Sequence, residues 1–574
     1  MLLAATAEWL TGFWLISVGV AIGLILLLAV VLLFRLGGLL GLSKLADSSA
    51  STIVGAILTV VVFVGGLVLF SYLNITDATK EAESIRDAYA LPVFLLIPFS
   101  LFVGFGTLAM FRRRSQEQLN EWLTEGVTFW MLILAGVMSC FAVVGILGQQ
   151  VPTIRFVLQP NALLRSVARL PSTGLSPVRE YTIKPSPAGY EGNAIPANFY
   201  SKELKLIRAK TDQRLEFSAN KMTDSSEESF QGLMELPASS EWTEFNKLPV
   251  EKVENLYVRN MGTQDANFFL QIETQPEHPE VSAIFWSALL TVSLFLAALF
   301  QSALLPKESA ISWATFKTET SQPLFAILIA VGCVFLLAAV YIPYNTFGED
   351  IKMYVNTGRP VILLLSIFFA VWASSKSVAE EIDGRTALTV LAKPISRRQF
   401  LVGKAVGIGW AVGMLSIILG LWFLFLVSYK PIYDGVEASK GALPWTEGFS
   451  AMAKVFPALI LGYMETMVFV FISVMISTRL PIVSNLMICF ALYIVGHLTP
   501  MLLEKPDSFQ GVSVVGQAIT TVIPVLAHFD VGPAIVGDAT VPLAYLGWTL
   551  LYCILYCGVM MLVALILFED RDLS

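Results

Sequence analysis

Long apolar stretches separated by short polar ones set the first picture of this 574-residue chain. A bilayer core of ~30 Å is crossed by roughly 20 apolar residues in a helix. Eleven segments meet or approach that length, at about 11–34, 51–73, 90–111, 126–148, 281–304, 323–344, 360–378, 401–428, 451–477, 483–503 and 543–567. The pattern predicts an all-α polytopic membrane protein with about 11 transmembrane helices. One interruption is as informative as the spans. Residues 151–280 are hydrophilic, with prolines at 152, 160, 171, 177, 185, 187 and 196, and then turn to runs of period two. Arg214 to Ser218, Val253 to Arg259 and Asn267 to Thr274 have the alternation and the β-branched or aromatic content of strands. They predict a small β-rich extracytoplasmic domain, which at ~130 residues is long enough to bury a core of its own. Substrate or lipid contact, partner docking and spacing all remain open for it. Nothing in it has catalytic spacing.

The chain so divides into an N-terminal four-helix region (1–150), the β-rich domain (151–280), a fifth span (281–305) and a six-helix unit (306–574). The first span has no basic residue before it and Arg35 after it, where a secretory signal would have a small-residue cleavage site, so it is expected to be retained. Lys and Arg collect on one side of the short loops: Arg35, Lys44, Arg112, Arg113, Arg114, Lys307, Lys317, Lys376, Arg385, Lys393, Arg397, Arg398, Arg479 and Arg571. By the positive-inside rule that side is cytoplasmic. The N-terminus is then outside and the C-terminus cytoplasmic, and the expected location is the bacterial cytoplasmic (inner) membrane.

Composition fits: 56% of residues are hydrophobic and 14% charged, so membrane lipid is the expected surroundings. The net charge of -7 is sorted by loop and implies no nucleic-acid partner. All five cysteines, at 140, 333, 489, 553 and 557, fall within apolar spans, so no disulfide framework follows from them. Cys553 and Cys557 are one helical turn apart. With no His or further Cys near in sequence to complete a ligand set, they read as packing residues, and no metal site is expected.

The six-helix unit carries the specific signals. Ile311 to Gln322 mixes Trp313, Phe316 and Lys317 with polar residues just before Pro323, which predicts a short helix (311–322) along the cytoplasmic interface. Between the second and third spans of the unit lies a dense polar insert at 379–400, AEEIDGRTALTVLAKPISRRQF. Its acids come first and its bases last, an order that partly complements a helix dipole. Thr386 to Ala392 can form a short helix with Leu388 and Leu391 on one face, stopped by Pro394. Ser396 with Gln399 is a capping box, and Ile395 with Phe400 is placed as a hydrophobic staple, so a new helix starts there. A short helix showing apolar and charged side chains to water is commonly a surface awaiting a partner. The plain alternative is a cytoplasmic loop that obeys the positive-inside rule.

Here the sequence resembles the ABC-2 type permeases, the membrane subunits of ATP-binding cassette transporters, over about residues 306–574. The likeness rests on ISWATFKTETSQPLF (311–325), SVAEEIDGRTALTVLAKPISRRQFLVGK (377–404), ALYIVGHLTP (491–500), IPVLAHFDVGPAIVGD (523–538) and LILFEDRDLS (565–574). The second piece is similar to the motif of the branch that includes the permease of nitrous-oxide reductase maturation, with Arg385 intervening before Thr386 where many members have Gly-Thr adjacent. The resemblance implies that 379–400 is a coupling segment that docks on a cytosolic ATPase, with Glu380, Glu381, Asp383, Gly384, Arg385, Leu388, Leu391, Lys393, Pro394, Arg397 and Arg398 as its contact residues. It implies alternating-access transport, with export as the expected direction. ATP and Mg would be bound by the partner ATPase, since this chain lacks the G-x-x-x-x-G-K-[ST] phosphate loop: Gly403-Lys404-Ala405 has neither the upstream glycine nor the hydroxyl. No cofactor of its own and no enzyme activity are expected. With one coupling segment per chain, two permease chains are expected, as a homodimer or a heterodimer.

Glu465 is the one carboxylate well inside a predicted span of this half, a possible pathway residue or a partner for a neighbouring helix. His497 and His528 lack a clear third ligand, and Trp9, Trp122, Trp372 and Trp445 read as interface anchors. Two rival functions are an ATPase-independent secondary transporter and a membrane anchor for the extracytoplasmic domain. The first requires repeated interrupted helices with coupling-ion carboxylates, and neither is visible.

Overall fold

The computed structural model describes residues 9–48, 50–74, 82–148, 174–175, 178–185, 193–200, 203–218, 234–245, 252–274, 279–342, 344, 349–384, 395–437, 445–503, 523–532, 534 and 541–569. The chain forms two compact units, one of membrane-type helices and one that contains the β-strands.

Each of the eleven apolar segments is a helix. In the first half these are α1 (Leu10–Gly37), α2 (Ser51–Asn74), α3 (Ala82–Met110) and α5 (Gly126–Gly148), with a short polar helix α4 (Arg113–Thr124) before the last. Then come α6 (Ser282–Leu304), α7 (Pro306–Thr320), α8 (Pro323–Val340), α9 (Asp350–Ser374), α10 (Arg397–Glu437), α11 (Trp445–Ser477), α12 (Ile482–Leu503) and α13 (Leu543–Glu569). Among the described residues nine helices are long and apolar enough to cross a membrane alone; α3 with α4 forms a pair bent by 98°, and the apolar part of α12 is shorter.

The bend after α3 has a local cause. Gln116, in the first turn of α4, donates through Nε2 to the carbonyls of Phe34 (3.1 Å) and Met110 (2.6 Å). It bridges the carbonyl of Phe34, near the end of α1, and that of Met110, the last residue of α3. The chain then turns from α4 into α5 at Gly126, whose φ of 69° an L side chain would resist. Small residues draw α1 onto α6: Gly19 and Gly23 lie against Ile284, Ser287, Ala288 and Thr291, where a Cβ would meet backbone atoms. This is a small-xxx-small contact, which lets membrane helices approach closely. Trp14 Nε1 donates to the Ala142 carbonyl of α5 (3.0 Å), and Ser428 Oγ of α10 donates to the Trp9 carbonyl (2.9 Å). The N-terminal helix is thus built into the same body as the six-helix half.

Three boundaries differ from expectation. The interfacial helix α7 starts at Pro306, not at Ile311, with Pro at its first turn where a missing N–H costs nothing. Its Ser309, Ser312 and Thr315 are buried, and Gly403 and Gly407 of α10 let the two backbones meet. Helix α9 begins ten residues before Pro360, because the charge of Arg359 inside it is paired with Asp530 at 2.6 Å. Helix α10 runs for 41 residues, roughly 60 Å at 1.5 Å per residue, and so exceeds the bilayer core.

In the second unit, nine strands lie between residues 174 and 274 among the described residues. Strands β1 (Gly174–Leu175), β2 (Arg179–Ile183), β4 (Leu204–Thr211), β7 (Ser239–Phe245) and β9 (Ala266–Thr274) make one antiparallel sheet in the order β1-β9-β4-β7, with β2 also on β9. Strands β3 (Asn193–Tyr200), β5 (Leu215–Ser218), β6 (Met234–Leu236) and β8 (Lys252–Asn260) make a second, ordered β3-β8-β5-β6. The three strands expected from period-two runs are β5, β8 and β9. Their inward residues Leu215, Phe217, Val253, Val258, Phe268 and Leu270 form a core with Ile207. On the facing pair Glu216 and Arg259 the side chains join at 2.7 Å.

Candidate functional site

The segment that joins α9 to α10 is held at both flanks. After Ser374, helix α9 continues through a π-helical turn, Ser375–Ala379, and one α-turn, Glu380–Asp383, which ends at Gly384. A π-turn inserts an extra residue and is enriched where helices work. Its first residue is anchored in a buried polar cluster: Asn485 of α12 donates through Nδ2 to Ser375 Oγ (2.8 Å), Ser473 Oγ (2.8 Å) and Ser477 Oγ (2.9 Å). Helices α9, α11 and α12 meet there.

On the far flank the capping box is complete. Ser396 N–H donates to Gln399 Oε1 at 3.1 Å, and Gln399 N–H donates to Ser396 Oγ at 3.2 Å. Phe400 is fully buried, with Ile395 packed on the same core. Arg397 Nη1 donates to the carbonyls of Phe568 (3.3 Å) and Glu569 (3.0 Å), and its guanidinium lies 5.8 Å from the Phe568 ring centre. A cation on the last carbonyls of a helix is favourable against the helix dipole. Arg397 therefore ties the start of α10 to the end of α13, while Arg398 is exposed.

The two flanks also meet each other. Glu381 Oε1 is 2.5 Å from Lys404 Nζ on α10. Beside this pair is Glu319 of α7, 1% exposed, whose Oε2 accepts a hydrogen bond from Gln322 Nε2 at 2.8 Å. Burial pushes the Glu319 carboxyl up to about 7, against the pull of the Lys404 and Lys376 ammonium groups. Gln322 Oε1 in turn accepts from Trp372 Nε1 of α9 at 3.4 Å.

Of the expected contact residues, Glu380 and Gly384 are exposed, Glu381 is half-buried in its ion pair, and Asp383 closes the last turn of the incoming helix. Arg385, Leu388, Leu391, Lys393 and Pro394 lie outside the described residues. Sequence reading missed Glu319, Lys404 and Asn485. A usable signal existed for Lys404 and Asn485, because a polar group inside an apolar helix requires a partner.

Glu465 is distant from this end in sequence and sits near the middle of α11, 2% exposed. Its Oε1 is 3.7 Å from His497 Nε2 and has no hydrogen-bond partner. The His497 ring lies 4.5 Å from that of Tyr493, and Nδ1 is 3.2 Å from the Tyr493 carbonyl. Glu465 thus faces a neighbouring helix without a closed hydrogen bond. His528 lies in a 3-10 turn, Leu526–Phe529, and its carbonyl accepts from Tyr545 Oη at 2.7 Å. Cys553 Sγ and Cys557 Sγ are 4.0 Å apart, and Cys553 donates to the Met464 carbonyl at 3.4 Å.

The arrangement offers mechanical linkage: the described flanks of the segment, which continue α9 and open α10, are joined to each other by Glu381 with Lys404 and to α13 by Arg397. No curated protein and no solved structure matches the chain. The sequence model of the ABC-2 family transporter proteins matches residues 250–573, more than half of the length, and takes in β8, β9 and α6 as well as the six-helix half. The chain belongs to the ABC-2 family of transporter membrane proteins.

Proposed function

We propose that this permease exports its substrate by alternating access, with the 380–398 segment as the lever on which a separate cytosolic ATPase pushes. ATP and Mg are bound by that partner chain, and two permease chains, as a homodimer or a heterodimer, complete the transporter. The end that bears the segment faces the cytoplasm of a bacterial inner membrane, as the Lys and Arg distribution favours. One observation carries the reading: both flanks of the segment are fixed to the membrane helices, by Glu381 with Lys404 of α10 on one side and by Arg397 with the Phe568 and Glu569 carbonyls of α13 on the other. A segment so tethered cannot be displaced without moving α9 and α10. Glu465 lies near the middle of α11, its Oε1 3.7 Å from His497 Nε2 and without a hydrogen bond, and is the residue proposed to face the transport path.

Leu388 and Leu391 are the proposed apolar contacts with the ATPase. Replacing both by Asp is expected to abolish co-purification of the ATPase while the chain still inserts in the membrane. Unchanged ATPase recovery from the doubly substituted chain would refute the docking role. Transport by the chain alone under an ion gradient would refute the ATP-driven reading.

A further inference from the structure

Where the incoming and outgoing helices of the coupling segment come together, four ionisable side chains lie close, and two of them, Lys404 and Glu319, are buried. Lys404 retains 9% of its side-chain exposure and Glu319 1%, with Glu381 and Lys376 less enclosed around them. Two acids lie near two bases, and the closest pair is Glu381 with Lys404. A buried ion is tolerated when it is paired, and removing one partner leaves the other stranded. Lys404 occupies the middle of the set: its Nζ is 2.5 Å from Glu381 Oε1 and 5.6 Å from the Phe400 ring centre, and it is the main cation acting on Glu319.

Its backbone position is equally constrained. A Cβ at Gly403, its neighbour, would meet the Glu308 carbonyl and Ile311 of α7, and one at Gly407 would meet the Ser312 backbone. This part of α10 is therefore fixed on α7. Across from it, the turn that carries Glu381 follows a π-helical turn, a place where α-helices commonly kink.

We propose that Lys404 is a positioning residue of the coupling machinery: by holding Glu381 it clamps the helix entering the segment to the helix leaving it and to α7, so that a push on the segment moves all three together. This rests on the coupling role proposed above. Without the clamp, the ATPase would still dock, because Lys404 is buried, but the π-turn would absorb the displacement before α9 moved.

The test uses the full-length chain in lipid nanodiscs, alone and with the ATPase that co-purifies with it. Amide hydrogen exchange is followed at 376–384 and 397–407 for wild type, K404R, K404M, E381Q and K404M/E381Q. For the chain alone, K404M and E381Q are each expected to speed exchange at 380–384 by about tenfold, since each removes the ion pair between Glu381 and Lys404. The double variant should be no faster than either single one, because both remove one contact. K404R, which keeps the charge, should stay within about twofold of wild type. With the ATPase present, its recovery should be the same for wild type, K404R and K404M, while the ATP-dependent change in exchange along α9 and α10 persists in wild type and K404R and is lost in K404M. Wild-type exchange and wild-type response to ATP in K404M, or additive effects of the two single changes, would overturn the proposal. If wild type recovers no ATPase, the transport reading fails, and exchange in the chain alone still decides whether the clamp exists.

Discussion

Arg397 reaches across 172 positions of sequence to donate a hydrogen bond to the Glu569 carbonyl, so the residue that opens α10 also closes α13. The last helix is thereby fastened to the flank of the coupling segment. Motif likeness places Arg397 and Arg398 side by side as ATPase contacts, yet their surroundings separate them: one guanidinium is committed inside the permease and its neighbour is exposed.

This separation yields opposite phenotypes. Replacing Arg397 by Ala should cost about 1 kcal/mol of stability, the scale of a cation at a helix C-terminus, and lower the melting temperature in detergent. Replacing Arg398 by Glu should leave melting unchanged and weaken ATPase co-purification. Equal melting of R397A and wild type would remove the capping role.

The capping box predicts a second, local effect. Ser396→Ala removes the acceptor for the Gln399 N–H and should destabilise the start of α10 by about 1 kcal/mol. Ser396→Asp, which restores an acceptor, should recover most of it. Exchange rates of the amides at 397–400 measure this directly.

Glu319 sets a pH dependence. Its folded-state value of about 7 lies above the ordinary 4.5. The stability that comes from burying the neutral acid is therefore full below about pH 4.5 and is lost as the pH rises through about 7, at roughly 1.4 kcal/mol per unit of difference at most. The melting temperature of the wild type should fall between about pH 4.5 and about pH 7 and level off above that. In Glu319→Gln that part of the fall should vanish, and an identical pH profile for the two chains would exclude Glu319 as its source.

Gly19 is predicted to be intolerant. A methyl group there meets the Ile284 backbone, so Gly19→Ala should push α1 from α6 and cost about 1–3 kcal/mol. Gly136→Ala meets nothing within 4 Å and should be neutral or slightly stabilising. Thermal unfolding of the two variants separates a packing effect from helix propensity.

The spans, the β-rich insert and the restart at Ser396 were legible because each depends on neighbours in sequence. Apolar length requires a helix in lipid, period two requires a strand with one buried face, and a capping box is satisfied within four residues. The start of α7 and the length of α9 were not legible. Their extra turns are stabilised by partners far along the chain, by Gly403 and Gly407 for α7 and by Asp530 for α9.

The same division runs through the coupling region. Sequence alone determined that a short polar segment stands between two membrane helices, and it marked where the second one begins, since charge order, Pro394 and the Ser396 and Gln399 pair are local features. Only the tertiary structure decided which charges are spent inside the permease. Arg397 on Glu569, Lys404 on Glu381 and Asn485 on Ser375 join helices separated by 172, 23 and 110 positions. A charged or amide side chain in an apolar setting must find a partner, and which partner it finds depends on how the helices assemble rather than on the residues beside it.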